Sequence, residues 1–191
     1  HGEKLIGALI LKDEIKAKAK ESIENIKKLG LKTMLLSGDN KSATNEVAEK
    51  LGLDDYQAEL MPKQKLEVID RLQSDNKKII FVGDGINDAP ALVKADLGIA
   101  MGSGTDIAKE SGKIVIISSE PDKVYSAINL SKKTFSVIKQ NLFWAFIYNV
   151  LTIPLAIFGL VSPMVAALAM SLSSVSVVAN SLRLHYITKN D

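Results

Sequence analysis

The sequence feature that most constrains the fold is a long stretch without charge. Residues 140–182 contain no Asp, Glu, Lys or Arg, whereas charges are dense up to Lys139. The stretch has room for two helices of about 20 residues, the length that crosses a bilayer. Val161, Ser162 and Pro163 predict a short turn between them. We therefore predict a soluble part followed by an α-helical transmembrane hairpin. A hairpin buried in a large soluble protein is the alternative.

The basic residues around the two predicted spans indicate their orientation. Lys132, Lys133 and Lys139 precede the first span, and Arg183 follows the second. Lys and Arg are enriched in the cytoplasmic segments of membrane proteins. We therefore expect both ends of the hairpin, and with them the soluble part, to be cytoplasmic.

Composition excludes several classes of function. The net charge of +2 is too small to indicate a nucleic acid partner. The chain contains no cysteine, which excludes a disulfide framework and a thiolate metal site within it. The first residues show neither an initiator Met nor a signal peptide, so we expect the chain to start inside a longer protein.

The first part of the chain alternates strand-like apolar runs with amphipathic helical segments. We predict strands at residues 5–11, 32–36, 79–82, 97–100 and 113–117, and a short strand or loop at residues 55–60. We predict helices at residues 15–29, 42–51 and 89–95, and a third helix that starts near Pro62. This alternation predicts an α/β fold with a doubly wound, mostly parallel, Rossmann-like sheet. We assign this soluble part to residues 1–137 and the membrane hairpin to residues 138–191.

Two carboxylates follow the strand predicted at residues 79–82, which we expect to be buried and parallel. Asp84 and Asp88 lie in the run Gly-Asp-Gly-Ile-Asn-Asp that comes directly after it. Ligands bind outside the carboxyl ends of strands in open α/β sheets, and carboxylate oxygens suit Mg²⁺. We therefore predict that Asp84 and Asp88 hold a magnesium ion. A polar turn with a helix cap is the alternative.

Three other polar residues complete a predicted phosphoryl-transfer site. Ser37 follows a predicted strand, where its hydroxyl and nearby backbone N–H groups can face an anion. Lys65 lies in the first turn of a predicted helix and supplies a positive charge, and Asn87 can donate to a phosphoryl oxygen. Phosphoryl transfer depends mainly on such positioning and charge neutralisation. A helix cap at Ser37 and a surface role for Lys65 are the alternatives.

Four segments together resemble the phosphorylation domain of P-type ATPases, of the haloacid dehalogenase superfamily. They are Ser37–Asn40, Pro62–Lys65, Gly83–Asp88 and Met101–Asp106. The resemblance implies a catalytic set of Ser37, Gly38, Asp39, Lys65, Asn87 and Asp88, with Asp84 and Asp88 at Mg²⁺.

One motif of that family does not occur in the chain. The family's nucleophile is the Asp of an Asp-Lys-Thr-Gly-Thr motif, and this sequence does not contain it. In the family, the motif and the nucleotide-binding domain lie N-terminal to the resembling region. The resemblance therefore implies the C-terminal part of an ATP- and Mg²⁺-dependent pump, in the plasma membrane of a prokaryote, without its nucleophile-bearing strand. We expect this chain alone to be inactive and its partner to be the missing N-terminal part of the same pump.

The predicted hairpin resembles the last two membrane helices of copper-exporting P-type ATPases. The similar segments are Asn141–Asn149 and Met170–Ser174. The resemblance implies that Tyr148, Asn149, Met170 and Ser174 line a site for Cu(I), which a soft thioether suits. Zinc and cadmium pumps are expected to carry a Lys and an Asp in these helices, and this hairpin has neither. Helix packing is the alternative role for the serines.

The function that the sequence predicts is therefore ATP-driven export of Cu(I) through an aspartyl-phosphate intermediate, carried out by the full pump. A P-type pump for zinc, cadmium or silver is one alternative. A membrane-tethered phosphatase of the same superfamily, or a non-catalytic interaction module, is another. The phosphatase requires an aspartate nucleophile within this chain, and no Asp here has the expected neighbours.

Overall fold

The structure is a computed structural model that describes residues 14–83, 86–102, 112–160 and 162–189. It divides into two compact units, of which the first ends at Tyr125 and the second begins at Ser126. This division lies inside one continuous helix, Asp122–Ile157. The predicted domain boundary after residue 137 falls in the same helix and stays a prediction.

The first unit alternates helices and strands along the chain. Its strands are β1 (Met34–Leu36), β2 (Asp55–Gln57), β3 (Ile80–Gly83), β4 (Leu97–Met101) and β5 (Ile114–Ile116). Its helices are α1 (Ala19–Lys28), α2 (Lys41–Leu51), α3 (Pro62–Ser74) and α4 (Ala89–Lys94), and a 3-10 turn at Ile86–Asp88 precedes α4. The predicted strand at residues 5–11 and most of the segment at residues 101–106 lie outside the described residues.

Every pair of neighbouring strands in the described part of the chain is parallel. β1 pairs with β2, with Leu35 opposite Tyr56. β3, β4 and β5 form a three-stranded sheet in that order. The parallel α/β fold predicted from the sequence is confirmed. Because the strands of each sheet point the same way, the loops that follow them leave from one edge.

Helix α4 packs closely against β4. Leu92 of α4 is 1% exposed and forms the centre of a buried cluster with Ala100 and Phe81. A Cβ atom at Gly98 would overlap the backbone carbonyl group of Leu92. Glycine at residue 98 therefore allows the helix to lie this close to the strand and fixes where the loop before α4 begins.

Two details of the sequence prediction are wrong. The strand at β3 was expected to be buried, but Ile80 and Val82 are 37% and 39% exposed. These two residues stand two positions apart and therefore share one face of the sheet, which the described residues leave partly uncovered. Helix α1 begins at Ala19, and Ile15 lies before it as an exposed residue rather than on its buried face.

The second unit is a pair of long helices, α5 (Asp122–Ile157) and α6 (Pro163–Lys189), and the first turn of α5 belongs to the first unit. Both helices are long and apolar enough to cross a membrane, and their apolar windows are not buried. Helix α5 ends at a left-handed glycine, Gly159, where the backbone N–H of Leu160 donates to the carbonyl of Leu155 at 2.9 Å. The predicted helical hairpin is confirmed.

A carboxylate fixes the amino ends of β1 and β2. Asp54 Oδ2 accepts from Thr33 N at 2.8 Å and from Thr33 Oγ1 at 2.9 Å, and Asp54 Oδ1 lies 2.7 Å from Lys27 Nζ. The hydrogen bond from Lys27, followed by those from Thr33, lowers the pKa of Asp54 from 3.8 to about 2. The ionised carboxylate therefore ties α1 to the start of this sheet.

A second carboxylate plays the same part in the other sheet. Asp96 Oδ1 accepts from Lys78 Nζ at 2.8 Å, while Oδ2 accepts from Gln73 Nε2 at 3.0 Å and from the backbone N–H of Ile79 at 3.1 Å. These bonds, with that from Lys78 the strongest, hold the pKa of Asp96 well below its usual range. Asp96 therefore joins the end of α3 to the starts of β3 and β4.

We predict that replacing Asp54 with Asn weakens the acid sensitivity of the fold. Because its pKa is lower in the folded chain, the ionised carboxylate stabilises the fold fully above pH of about 4, and this stabilisation is lost as the pH falls to about 2. The measurement is the thermal unfolding midpoint of the chain in detergent micelles, followed by circular dichroism across that interval. Asp75→Asn, at an exposed carboxylate, is the control. An equal fall in the midpoint for the wild type and Asp54→Asn would contradict the assignment.

Candidate active site and candidate ion site

The loop after β1 carries Ser37, Gly38 and Asp39 in a compact turn. Ser37 Oγ donates to Asp39 Oδ2 at 2.8 Å and accepts from the backbone N–H of Asp39 at 3.1 Å. Asn40 then caps α2, because its Oδ1 accepts from Ala43 N at 2.9 Å. The helix cap that was an alternative for Ser37 is therefore provided by Asn40. The Ser37 hydroxyl stands at the carboxyl end of β1.

The loop before α3 is bound to the same turn. The backbone N–H of Leu60 donates to the Ser37 carbonyl at 3.0 Å, and that of Glu59 donates to the Asp39 carbonyl at 2.8 Å. Helix α3 starts directly afterwards with Pro62, and Gln64 Oε1 accepts from the backbone N–H of Met61 at 2.7 Å. These contacts fix the first turn of α3 against the loop that follows β1.

Lys65, in that first turn, forms an ion pair with Asp88. Its Nζ lies 2.8 Å from Asp88 Oδ1, and the two side chains are only 17% and 16% exposed. Asp88 ends the 3-10 turn that follows β3 and stands at the start of α4. A Cβ atom at Gly83 would lie 2.8 Å from Asp88 Cβ and 3.0 Å from its Oδ2, so glycine leaves room for this carboxylate. The structure therefore joins the predicted Lys65 and Asp88 and rejects a purely solvated role for Lys65.

The remaining predicted residues of this site divide into two groups. Asn87 lies in the 3-10 turn next to Asp88 and is exposed, so its amide is accessible to a ligand. Asp84, the main predicted Mg²⁺ ligand, lies outside the described residues. Within the part of the chain that the structure describes, no group of three Asp, Glu or His side chains could hold a metal. The oxygen chemistry of Asp88 suits Mg²⁺, and its Oδ1 also neutralises Lys65.

Two of the four predicted ion-site residues lie together on α6. Met170 and Ser174 are one helical turn apart, Ser174 Oγ donates to the Met170 carbonyl at 3.2 Å, and both side chains are exposed. On α5, Tyr148 is half-buried, whereas Asn149 is exposed and donates from Nδ2 to the Ala145 carbonyl at 3.0 Å. The polar groups of Asn149 and Ser174 are therefore satisfied within their own helices.

The exposed members of this set share one side of the hairpin. Most of the half-buried residues of the two apolar spans lie on one face of each helix, and these faces are where the helices meet. They are residues 141, 145, 148 and 152 of α5 and residues 166, 169, 173, 177 and 180 of α6. Each residue advances a helix by about 100°. When this rotation is measured from the two contact faces, with the helices antiparallel, Asn149, Met170 and Ser174 fall on the same outer side of the hairpin. A ligand bound there meets groups from both helices.

Sequence reasoning missed a polar contact between the two helices. Gln140 and Asn141 of α5 bond to Asn180 and Ser181 of α6, for example from Asn141 Nδ2 to Ser181 Oγ at 2.8 Å. A signal was present in the sequence, because the two polar pairs stand at nearly equal separations from the facing helix ends at Ile157 and Pro163.

Comparison with known families and curated proteins agrees along almost the whole chain. Residues 2–96 match the family of haloacid dehalogenase-like hydrolases. A copper-exporting P-type ATPase of Staphylococcus haemolyticus (strain JCSC1435) is 48% identical over 181 residues, which cover 95% of this chain and 23% of that protein. The copper-exporting P-type ATPase of Staphylococcus aureus (strain MRSA252) is 47% identical over 180 residues. The chain therefore spans less than a quarter of the length of these relatives.

Solved structures resemble the chain in both of its units. The crystal structure of a zinc-transporting PIB-type ATPase in its E2.Pi state matches with a TM-score of 0.83 at 35% identity, over 91% of this chain and 28% of that one. The catalytic domain of the CPx-ATPase CopB-B matches with a TM-score of 0.54 at 34% identity, over 59% of this chain.

We predict that Lys65→Met destabilises the first unit by about 1–3 kcal/mol, because it leaves the shielded carboxylate of Asp88 without its counter-charge. This predicted loss of stability is smaller than the loss expected for a fully buried ion pair, because both side chains keep some contact with water. Denaturant unfolding measures it, with Lys63→Met, at an exposed lysine in the same turn, as the matched control.

A double-mutant cycle with Asp88→Asn isolates the pair. The second substitution removes the unpaired charge, so we expect the double variant to be less destabilised than the sum of the two single variants. Strict additivity would show that Lys65 and Asp88 do not interact.

Proposed function

The chain belongs to the P-type ATPases of the haloacid dehalogenase superfamily, and we propose that it forms the C-terminal part of an ATP-driven pump that exports Cu(I). The observation that carries the proposal is the 48% identity to a copper-exporting P-type ATPase, which runs through both the loops of the first unit and the hairpin. ATP hydrolysis, metal transport and the aspartyl-phosphate intermediate belong to the whole pump.

In this proposal, Lys65 binds the transferred phosphoryl group and Asp88 orients the lysine. A lysine held 2.8 Å from a carboxylate, in a site largely closed to water, has lost most of its rotamer freedom before the phosphoryl group arrives. Asn87 donates a hydrogen bond to a phosphoryl oxygen, and the Ser37 hydroxyl does the same once it turns from Asp39 Oδ2 to the phosphoryl group. Mg²⁺ supplies charge neutralisation when it is bound, and Asp84 together with Asp88 would hold it.

The nucleophilic aspartate comes from a strand elsewhere in the pump. Among the described residues, β3 is an edge strand, so one side of its backbone is open to pairing. A parallel strand paired with it there would bring its own carboxyl end to the end of the sheet where Asp88 stands. This arrangement supports the expectation that the chain alone does not form the phosphorylated intermediate.

The hairpin spans the membrane in this proposal, with its two charged ends on the cytoplasmic side, and contributes half of the Cu(I) site. Met170 supplies a soft sulfur ligand, while Tyr148, Asn149 and Ser174 line the site. These polar groups lie in apolar helices, where such residues commonly serve ion pathways. Asn149, Met170 and Ser174 share an outer side of the hairpin, which supports a site whose coordination other helices of the pump complete.

Zinc is the competing substrate, because a zinc-transporting PIB-type ATPase matches the chain at a TM-score of 0.83. Zinc is bound by nitrogen, thiolate and carboxylate ligands, and a divalent ion in the membrane needs compensating charge. The hairpin carries no charged residue between Gln140 and Leu182. This uncharged lining supports a monovalent soft ion.

We predict that Cu(I), and not Zn²⁺, stimulates ATP hydrolysis by the pump that contains this chain. Met170→Leu should raise the Cu(I) concentration for half-maximal stimulation by about tenfold or more, because leucine keeps the volume but removes the soft sulfur ligand. Met164→Leu, at an exposed methionine near the turn of the same helix, is the matched control. Stimulation by Zn²⁺ alone, or equal effects of the two substitutions, would overturn the copper assignment.

A further inference from the structure

Four polar side chains tie the ends of the hairpin together near its charged flanks. We call Gln140, Asn141, Asn180 and Ser181 the amide cluster. Asn180 Nδ2 donates to Gln140 Oε1 at 3.2 Å and to Asn141 Oδ1 at 2.9 Å, while Asn141 Nδ2 donates to Ser181 Oγ at 2.8 Å. These three bonds all cross from one helix to the other, unlike those of Asn149 and Ser174, which stay within a helix.

Packing of mostly small residues accompanies the amide cluster along the rest of the helix contact. The half-buried face of α6 bears Ala166, Ala169, Ser173 and Ser176, and that of α5 bears one large side chain, Tyr148. Small residues allow the helices to approach closely, and lipid provides no hydrophobic force to choose between alternative alignments. Hydrogen bonds, by contrast, form only when donor and acceptor stand at the same level of the two helices. The three directional bonds of the amide cluster therefore favour one alignment over a slipped one.

The alignment decides whether the predicted ion-site residues of the two helices lie at the same level along the hairpin. Asn141 lies opposite Asn180, and in an antiparallel pair each step forward along one helix corresponds to a step back along the other. Thr152 therefore lies at the level of Ala169, and Asn149 lies between the levels of Met170 and Ser174. A slip of one turn moves one helix by about 5.4 Å along the other. That displacement exceeds any metal–ligand distance, so both helices could then no longer bind one ion.

We propose that the amide cluster sets the register of α5 and α6. It thereby holds Asn149 at a level between Met170 and Ser174 along the hairpin. Asn180 is the central positioning residue, since its amide group donates to both polar residues of α5. The register is a property of the hairpin alone, whereas its consequence for Cu(I) rests on the proposed function.

The absence of cysteine from the chain makes the register measurable by disulfide cross-linking. In the full chain reconstituted into lipid vesicles, Thr152→Cys with Ala169→Cys reports the native register. Thr152→Cys with Ser173→Cys reports a slip of one turn. We expect Asn180→Leu, which keeps the volume but removes the donor, to reduce cross-linking of the native pair about three- to tenfold and to increase that of the slipped pair.

Three further variants make the test specific. Ser171→Leu, at an exposed serine whose hydroxyl bonds within α6, should leave cross-linking unchanged. Asn180→Gln keeps the carboxamide and should retain most of the native cross-link. Asn141→Leu removes two of the three bonds from the other helix, as Asn180→Leu does from α6, and should repeat its effect. Agreement between the two variants excludes a folding defect that is peculiar to one of them. Native cross-linking that is unchanged in both leucine variants of the cluster would overturn the proposal.

A kinetic measurement separates this inference from the proposed function. In the full pump, Asn180→Leu should raise the KM for Cu(I) about three- to tenfold, with a smaller change in kcat, and Asn180→Gln should reverse it. A loss of kcat at unchanged KM would overturn the positioning role. If the pump does not respond to Cu(I), the proposed function fails, while the cross-linking result still decides the register.

Discussion

The ion pair between Lys65 and Asp88 is the contact on which the candidate active site depends. In the described part of the chain, the loops after β1 and β3 leave two different sheets, so the strand pairing seen there does not fix their relative position. Helix α3 links them, because its preceding loop is bonded to Ser37 and its first turn carries Lys65 to Asp88. The pair is largely shielded from water. Removing either side chain alone therefore leaves the other charge without a partner and destabilises the fold.

Carboxylates that anchor the fold lie at the amino ends of the parallel strands, whereas candidate site residues lie at the carboxyl ends. Asp54 and Asp96 stand immediately before strands and accept hydrogen bonds at the amino ends of the two sheets. Ser37 and Asp88 stand after strands, at the carboxyl ends. The low pKa of Asp54, about 2, keeps its anchor ionised under all ordinary conditions. Binding of an anion at the carboxyl edge therefore leaves these anchors undisturbed.

The sequence predicts local elements well and long-range contacts only where a motif reports them. The start of α3 at Pro62 and the parallel strands followed from residue patterns, and motif order suggested that Lys65 and Asp88 converge. The exposure of Val82 was not predictable, because an apolar run looks the same whether one face or both faces of its strand are covered. The partners of Asn180 were missed since they depend on the mutual alignment of two helices, which apolar periodicity leaves open.

The hairpin has a fixed alignment, while the residues of its proposed ion site remain exposed. The polar contacts between its helices lie near the charged ends, whereas Met170 and Ser174 lie on an outer side of the hairpin and are exposed. If the two helices alone closed the proposed ion site, these side chains would lie on the common face of the helices and Ser173 would not. In the proposed pump, neighbouring helices complete the site, and their movement forms and breaks it as the ion is bound and released. The amide cluster keeps the half of the site on this hairpin unchanged.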